Sequence, residues 1–363
     1  MTPVRILLIL TLTSACVFGC IAPVKHEFST DFPAWVLSAV GTPPVSDGRV
    51  RFREIFCQLL TEEPEYLEPS GSCGNFLLRL NDEPLPDGTP DPVPTPAPDA
   101  RYRVLVVPGL LNECFAGIAL PFEDAINNLD GNGFKIEALV VSGRSSSESN
   151  ALFIAETIEN LNLEADEKVL LVGHSKGAVD ILHFLVQYPQ ASSRIAGVIS
   201  VAGAINGSPL AVKFEDIYTR LAPYILSNRC DIGDEGAINS LQPALRMSWL
   251  AANPLPASVR YFSVAAMTSR KNINLLLKPG YDLLWTYGPR NDGLLHIADQ
   301  IIPGGTLLGY ANADHWSVVL PLEDKQSYIA STVQASAKYP RNVLLRAILL
   351  YVIEALAKEQ VQD

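Results

Sequence analysis

Positive charge is scarce in this 363-residue chain: 27 Lys and Arg stand against 39 Asp and Glu, a formal net charge of −12. No basic run offsets that balance, which argues against nucleic acid as a partner. Cysteine is sparse, six residues in all, and no paired C-x-x-C spacing suggests a structural zinc site. The sequence asks for no metal and no cofactor. Histidine is sparser still at five residues, so chemistry that needs an imidazole has few candidates. The chain has no internal repeat. The apolar run at its start, Ile6–Phe18, is too short to span a bilayer comfortably. What the chain does have is apolar mass: 48% of it is hydrophobic, enough for one large core plus an extension.

Arg5 followed by that short apolar run has the form of a secretory signal, expected to occupy residues 1–19. It ends Val17-Phe18-Gly19-Cys20, which resembles a bacterial lipobox. That resemblance implies cleavage before Cys20 and lipidation of its thiol, which would anchor the protein to a membrane of the bacterial cell envelope. The alternative is a cleaved, soluble secreted protein. Export fits the remaining cysteines. With Cys16 removed and Cys20 lipidated, Cys57, Cys73, Cys114 and Cys230 remain, and four cysteines allow three pairings. Cys57–Cys73 within the N-terminal extension and Cys114–Cys230 between two distant loops are the pairs favoured; four free buried thiols are the alternative, less suited to an oxidising compartment.

After Cys20 the chain divides into an extension to residue 81, a proline-rich segment at 82–100 and a long C-terminal part at 101–363. The extension carries Trp35, Phe52, Phe56, Leu59, Leu60, Phe76 and Leu77, apolar residues that need a surface to pack on. Seven prolines between 82 and 99 read as a stiff linker or a surface strap. From Arg101 strands and helices alternate. Strands are expected at Val104–Val107, Phe134–Val141, Lys168–Val172, Ile195–Val201, Arg260–Ala266 and Thr306–Tyr310. Ser145 and Glu148 have capping-box spacing ahead of one helix, Ala178–Tyr188 is a second, stopped by Pro189, and Asn342–Glu359 a third, its broad apolar face suited to core packing. Buried strands separated by helices argue for a mostly parallel sheet covered on both faces. The stretch from Asn206 to Val259 has no clear strand and is the natural place for a helical cap, about 206–258.

The most informative segment is Val169–Gly177, an apolar run ending in Gly173-His174-Ser175-Lys176-Gly177 with an amphipathic stretch directly after it. G-x-S-x-G alone arises by chance in about one chain in ten of this length. Here it sits between an expected strand and an expected helix, where the two glycines permit a tight turn and push the serine into the open. Free N–H groups at the helix start favour developing negative charge. Ser175 is therefore the candidate nucleophile of an acyl-transfer reaction.

Together with four other segments this turn resembles the α/β-hydrolases of the bacterial lipase and esterase type. The segments are Val-Val-Pro-Gly-Leu-Leu at 106–111, Gly-Ser-Pro-Leu-Ala at 207–211, Asn-Asp-Gly-Leu-Leu at 291–295 and Asp-His-Trp at 314–316. They fall in the family's order within residues 101–325. The resemblance implies a Ser-acid-His order in the chain, with His315, just past the last strand, as the base. Asp292 in its Asp-Gly turn is the acid, ahead of Asp282, Asp299 and Asp314. His26 lies in the extension, His174 is held by the turn, His183 is most simply a packed helix residue, and His296 follows Asp292 too closely. The backbone N–H groups of Lys176 and, by the resemblance, Leu110 would form the oxyanion hole. The family usually has His-Gly where this chain has Pro108-Gly109, and a small residue or Met where it has Lys176. The 206–259 insertion, rich in Leu, Ile, Ala and Tyr, points to a lipid or other apolar acyl ester as substrate. A thioesterase, a small-ester esterase and a non-catalytic envelope-binding protein on the same fold are the rivals.

Overall fold

A computed structural model describes residues 43–67, 72–84, 88–95, 102–110, 120–129, 134–164, 167–213, 233–321 and 338–360. Among them the strands are β1 Ser46–Asp47, β2 Leu77–Leu78, β3 Tyr102–Val107, β4 Phe134–Ala138, β5 Lys168–His174, β6 Ile195–Val201, β7 Arg260–Ala266 and β8 Thr306–Ala311. The longer helices are α1 Arg49–Leu60, α2 Glu123–Leu129, α3 Ser147–Asn160, α4 Lys176–Gln187, α5 Pro243–Ala252, α6 Lys278–Trp285 and α7 Arg341–Gln360. The strands form one sheet in the order β1-β8-β7-β6-β5-β3-β4, with β2 pairing antiparallel to β8 and every other pairing parallel.

Burial follows position in that sheet. In the central strand β5, every residue after Lys168 is buried, as a strand covered on both faces requires. In β4, at the sheet edge, Phe134 and Ile136 are buried while Lys135 and Glu137 are exposed. This strand stops at Ala138, short of the expected Val141, and Val140 points into solvent. Helix α3 is capped one residue later than the sequence spacing suggests: Ser146, not Ser145, accepts from the backbone N–H of Ser149 at 3.2 Å. Glu148 is drawn instead toward His183, 3.4 Å away.

The N-terminal segment enters the same core. Strands β1 and β2 both pair with β8, and α1 lies against α7. Phe52, Ile55, Phe56, Leu59 and Leu60 of α1 are fully buried. Each such side chain contributes about 1.5–3 kcal/mol relative to exposure, which is what fastens this short helix. Ion pairs frame it: Arg51 reaches Glu354 of α7 at 2.8 Å and Arg53 reaches Glu83 at 2.5 Å. The proline-rich segment lies along α1 as a strap at its described residues, because Arg51 donates to the carbonyls of Asp91 at 3.1 Å and Pro92 at 2.8 Å. Helix α7 has a broad apolar face because residues 343–350, Arg346 apart, are buried. Among the described residues no helix is long and apolar enough to cross a membrane.

Cys57 and Cys73 are joined, closing a loop with a sequence separation of 16. Cys20, Cys114 and Cys230 lie outside the described residues, as does the signal segment. For a closed loop of that size the constraint on the unfolded chain is worth about 3 kcal/mol. The C57S/C73S variant is therefore expected to unfold at lower urea concentration than wild type, with a slope as steep or steeper because its unfolded chain is less compact. Coincident unfolding curves would show that the crosslink contributes nothing.

Of the expected cap, residues 209–213 are helical, Asn239–Leu241 forms a 3₁₀ turn and α5 follows; residues 214–232 lie outside the described set. The described cap is seated on the loop before α3. Asp234 accepts from the Ser146 N–H at 2.6 Å and from its hydroxyl at 2.5 Å, and Arg144 pairs with Glu235 at 2.7 Å.

Candidate active site

Strand β5 ends at His174 and α4 begins at Lys176, leaving Ser175 alone at the bend with φ 53° and ψ −124°. A non-glycine residue holds such a conformation only where its surroundings enforce it. Here they do. The Ser175 carbonyl accepts from the N–H groups of Ala178 at 3.2 Å and Ala204 at 3.0 Å. The flanking glycines let the turn close. A Cβ on Gly173 would lie 2.5 Å from the Ala178 Cα, and one on Gly177 would run into the carbonyl oxygens of Val107 and Pro108.

Two loops at the C-terminal ends of other strands approach the bend. In the first, Asn291 and Asp292 fold their own turn: Asn291 Oδ1 accepts from the Gly293 N–H at 2.9 Å, and Asp292 Oδ1 from the N–H groups of Leu294 at 2.9 Å and Leu295 at 2.7 Å. Gly293 has φ +98°, which favours glycine there. In the second, Asp314 Oδ1 accepts from the N–H groups of Trp316 at 3.0 Å and Ser317 at 2.8 Å, and its Oδ2 accepts from the Asn274 N–H at 2.8 Å. A backbone bond of 2.9 Å from the His315 N–H to the Asp292 carbonyl joins the two loops.

The result is a continuous chain of side chains. His315 Nδ1 lies 2.7 Å from Asp292 Oδ2, and His315 Nε2 lies 2.8 Å from Ser175 Oγ. A carboxylate only accepts, so the imidazole proton sits on Nδ1 and Nε2 is left to accept from the serine hydroxyl. Burial runs along the chain: Asp292 is 0% exposed, His315 2% and Ser175 8%. The serine is the end that an outside molecule can reach. The arrangement can draw the Ser175 proton onto an imidazole whose positive form a buried carboxylate stabilises.

Of the two expected backbone donors, Lys176 adjoins the serine in the chain and Leu110 follows a residue packed against it. Lys176 opens α4, where the first N–H groups have no partner within the helix. Gly109 is packed so close that a Cβ would lie 2.7 Å from the Ser175 Cβ, and Leu110 is the next residue in the chain. The rival carboxylates are engaged elsewhere. Asp282 pairs with Arg270 at 2.5 Å, Asp314 folds its own loop, and Asp299, which burial pushes up to about 6, is hydrogen-bonded to Asn206.

Two contributors were not legible as such. His174 Nε2 lies 2.9 Å from the His315 carbonyl, so it must be the protonated nitrogen, and the neutral ring pins the backbone of His315 from below. Burial, reinforced by the neighbouring His315 ring, pushes His174 well below the usual histidine range, so it stays neutral. Gln300 pairs both ends of its amide with the backbone of Ala266, at 2.6 and 2.9 Å, and its Nε2 reaches Asp292 Oδ2 at 3.4 Å. No motif announces a glutamine of this kind. His183 is a packed helix residue, stacked on Trp249 at 4.1 Å and bonded to Arg246 at 2.8 Å. Among the described residues no cluster of His, Cys, Asp or Glu could hold a metal ion.

Comparison with known proteins bears on the fold and the family. The profile of the lecithin:cholesterol acyltransferase family matches residues 115–216, a span that includes the Ser175 turn. No curated protein matches the chain significantly. Among solved structures, the metagenomic carboxyl esterase MGS0156 is 41% identical with a TM-score of 0.80, the match covering 90% of this chain and 97% of that one. The lipase BlEst2 of Bacillus licheniformis is more distant. Its propeptide form is 23% identical with a TM-score of 0.50, over 62% of this chain and 48% of that one, and shows the fold alone. Its mature form is 24% identical with a TM-score of 0.49, over 62% of this chain and 89% of that one. The sheet is thus that of an α/β-hydrolase, and identity sustained over nearly both full lengths decides the relationship: the chain belongs to the carboxyl-esterase family of α/β-hydrolases that includes MGS0156.

Proposed function

We propose that the protein hydrolyses carboxylic esters of apolar acyl groups through a covalent acyl-enzyme. His315 Nε2 takes the proton of Ser175 as Oγ attacks the ester carbonyl, Asp292 holds and stabilises the imidazolium, and the N–H groups of Lys176 and Leu110 receive the oxyanion. His315 returns the proton to the leaving alcohol, and a water deprotonated by the same ring releases the acid. The observation that carries this reading is the Asp292–His315–Ser175 hydrogen-bond chain, at 2.7 and 2.8 Å, ending on a serine with positive φ at a helix start. The relationship to a carboxyl esterase supports carboxylic esters ahead of thioesters. Apolar side chains in the 206–258 segment support an apolar acyl group. The lipobox-like Val17-Phe18-Gly19-Cys20 supports an exported, lipid-anchored protein of the cell envelope, held to the membrane through Cys20.

A fluorophosphonate is expected to block hydrolysis of p-nitrophenyl esters and to leave its adduct on the peptide containing Ser175. Labelling elsewhere with full loss of activity would sink the assignment. Esters of increasing chain length then test the acyl group. A peak at acetate with activity lost beyond butyrate would replace the apolar-acyl reading with a small-ester esterase.

A further inference from the structure

Lys176 occupies an unfavourable position. It opens helix α4, where the macrodipole disfavours a cation, and its partner Asp180 lies toward the C-terminus, the reverse of the favourable order. Both side chains are 1% exposed, and desolvating a buried ion pair often offsets its attraction, so that apolar residues of similar size commonly serve the fold as well. A costly pair one residue beyond the serine asks for a role other than stability.

The surroundings of Asp180 indicate one. Its Oδ1 accepts from Lys176 Nζ at 2.7 Å and from the Ser147 hydroxyl at 2.6 Å, and its Oδ2 accepts from the same ammonium at 2.9 Å and from Asn150 Nδ2 at 2.7 Å. Asn150 also donates to the Ser142 carbonyl at 2.9 Å, and the Ser147 N–H donates to the Ser240 hydroxyl at 2.9 Å. One carboxylate therefore ties the first residue of the serine's helix to the first turn of α3, and that turn carries the seat of the cap. The Lys176 side chain is pulled back along its own helix, leaving only its backbone on the side of Ser175.

We infer that Asp180 is a positioning residue: through the Lys176 ammonium it fixes the first turn of α4, so that the Lys176 N–H stays aimed at the oxyanion. This rests on the ester-hydrolase reading above. The pair acts on the transition state and not on substrate capture, because a tetrahedral oxyanion demands closer aim than a ground-state carbonyl.

The test compares wild type with D180N, which removes the charge but keeps the shape, and with K176M/D180L, which replaces the pair by apolar groups and keeps the backbone N–H. The second variant guards against D180N failing to fold with a lone buried ammonium. Both are assayed on p-nitrophenyl butyrate and for inhibition by an alkyl boronic acid, whose serine adduct places an oxygen in the oxyanion hole. We expect kcat to fall about ten- to a hundredfold, less than loss of a whole oxyanion donor, with KM changed by no more than about twofold. Boronate affinity should weaken in parallel with kcat. Wild-type kcat in a folded K176M/D180L protein, or a loss confined to KM, overturns the inference. If wild type itself lacks Ser175-dependent turnover, the ester-hydrolase reading fails; if it has that turnover and the variants retain it, only the positioning role fails.

Discussion

Ser175→Ala is expected to lower kcat for a p-nitrophenyl ester by about six orders of magnitude, the loss typical when one member of a serine–histidine unit is removed. The hydroxyl is the outer end of the Asp292–His315–Ser175 chain and the atom that forms the covalent bond in the proposed mechanism. In the proposed mechanism the three groups act as a unit, so S175A/H315A/D292A should be scarcely slower than S175A alone. Both should retain about 10³–10⁴-fold acceleration over water from the oxyanion donors and substrate binding. Purified variants, checked by mass spectrometry for carried-over wild type, provide the measurement. Losses that multiply across the three single variants would show that the groups act independently. Turnover in S175A within about tenfold of wild type would remove the serine from the reaction altogether.

Asp292→Asn should cost about 10⁴-fold in kcat while leaving the fold intact, and the geometry says why. The oxygen of the substituted amide can still accept from the N–H groups of Leu294 and Leu295, so the turn survives. The amide NH₂ then faces His315 Nδ1 and Gln300 Nε2, where Asp292 Oδ2 accepts. The imidazole must shift its proton to Nε2, and a ring that donates toward Ser175 cannot take the serine's proton. Asp314→Asn makes the control, since Asp314 is adjacent to His315 in sequence but bonds only its own loop and the Asn274 N–H. There an NH₂ would meet the buried Asn274 N–H, a mismatch of about 1–3 kcal/mol. D314N should therefore lower the melting temperature without the loss of about 10⁴-fold in kcat expected of D292N, whose own NH₂ meets a donor in Gln300 only at 3.4 Å. Thermal unfolding by circular dichroism alongside steady-state kinetics separates the two. The reverse pattern would exchange the roles of the two aspartates.

Gly173, Ser175 and Gly177 were legible because their constraint is local: a strand must turn into a helix within a few residues, and side chains at the two glycine positions would collide with Ala178 and with the carbonyls of Val107 and Pro108. Asp292 and His315 were legible through the resemblance, whose motifs hold them in loops of short-range turn chemistry. Central strands could be read to within one or two residues, their burial on both faces leaving an unbroken apolar run. β4 was read too long because at a sheet edge only one face is buried, and apolar residues past Ala138 need not pair. The cap of α3 moved by one residue because Ser145 and Ser146 offer the same hydroxyl, and Asp234, 88 residues away, engages Ser146.

By itself the sequence determined the kind of fold, through alternating strands and helices, and the candidate nucleophile, through a turn that only certain residues permit. The tertiary structure decided which groups touch. It brought Asp292 and His315 to Ser175 from 117 and 140 residues away, set His174 and Gln300 behind them, and closed Lys176 on Asp180 within a network reaching α3 and the cap. It also gave the N-terminal segment its surface, the groove between β8 and α7. Local chemistry is written in neighbouring residues, whereas a hydrogen bond between distant loops depends on where the whole sheet delivers them, and no short spacing encodes that.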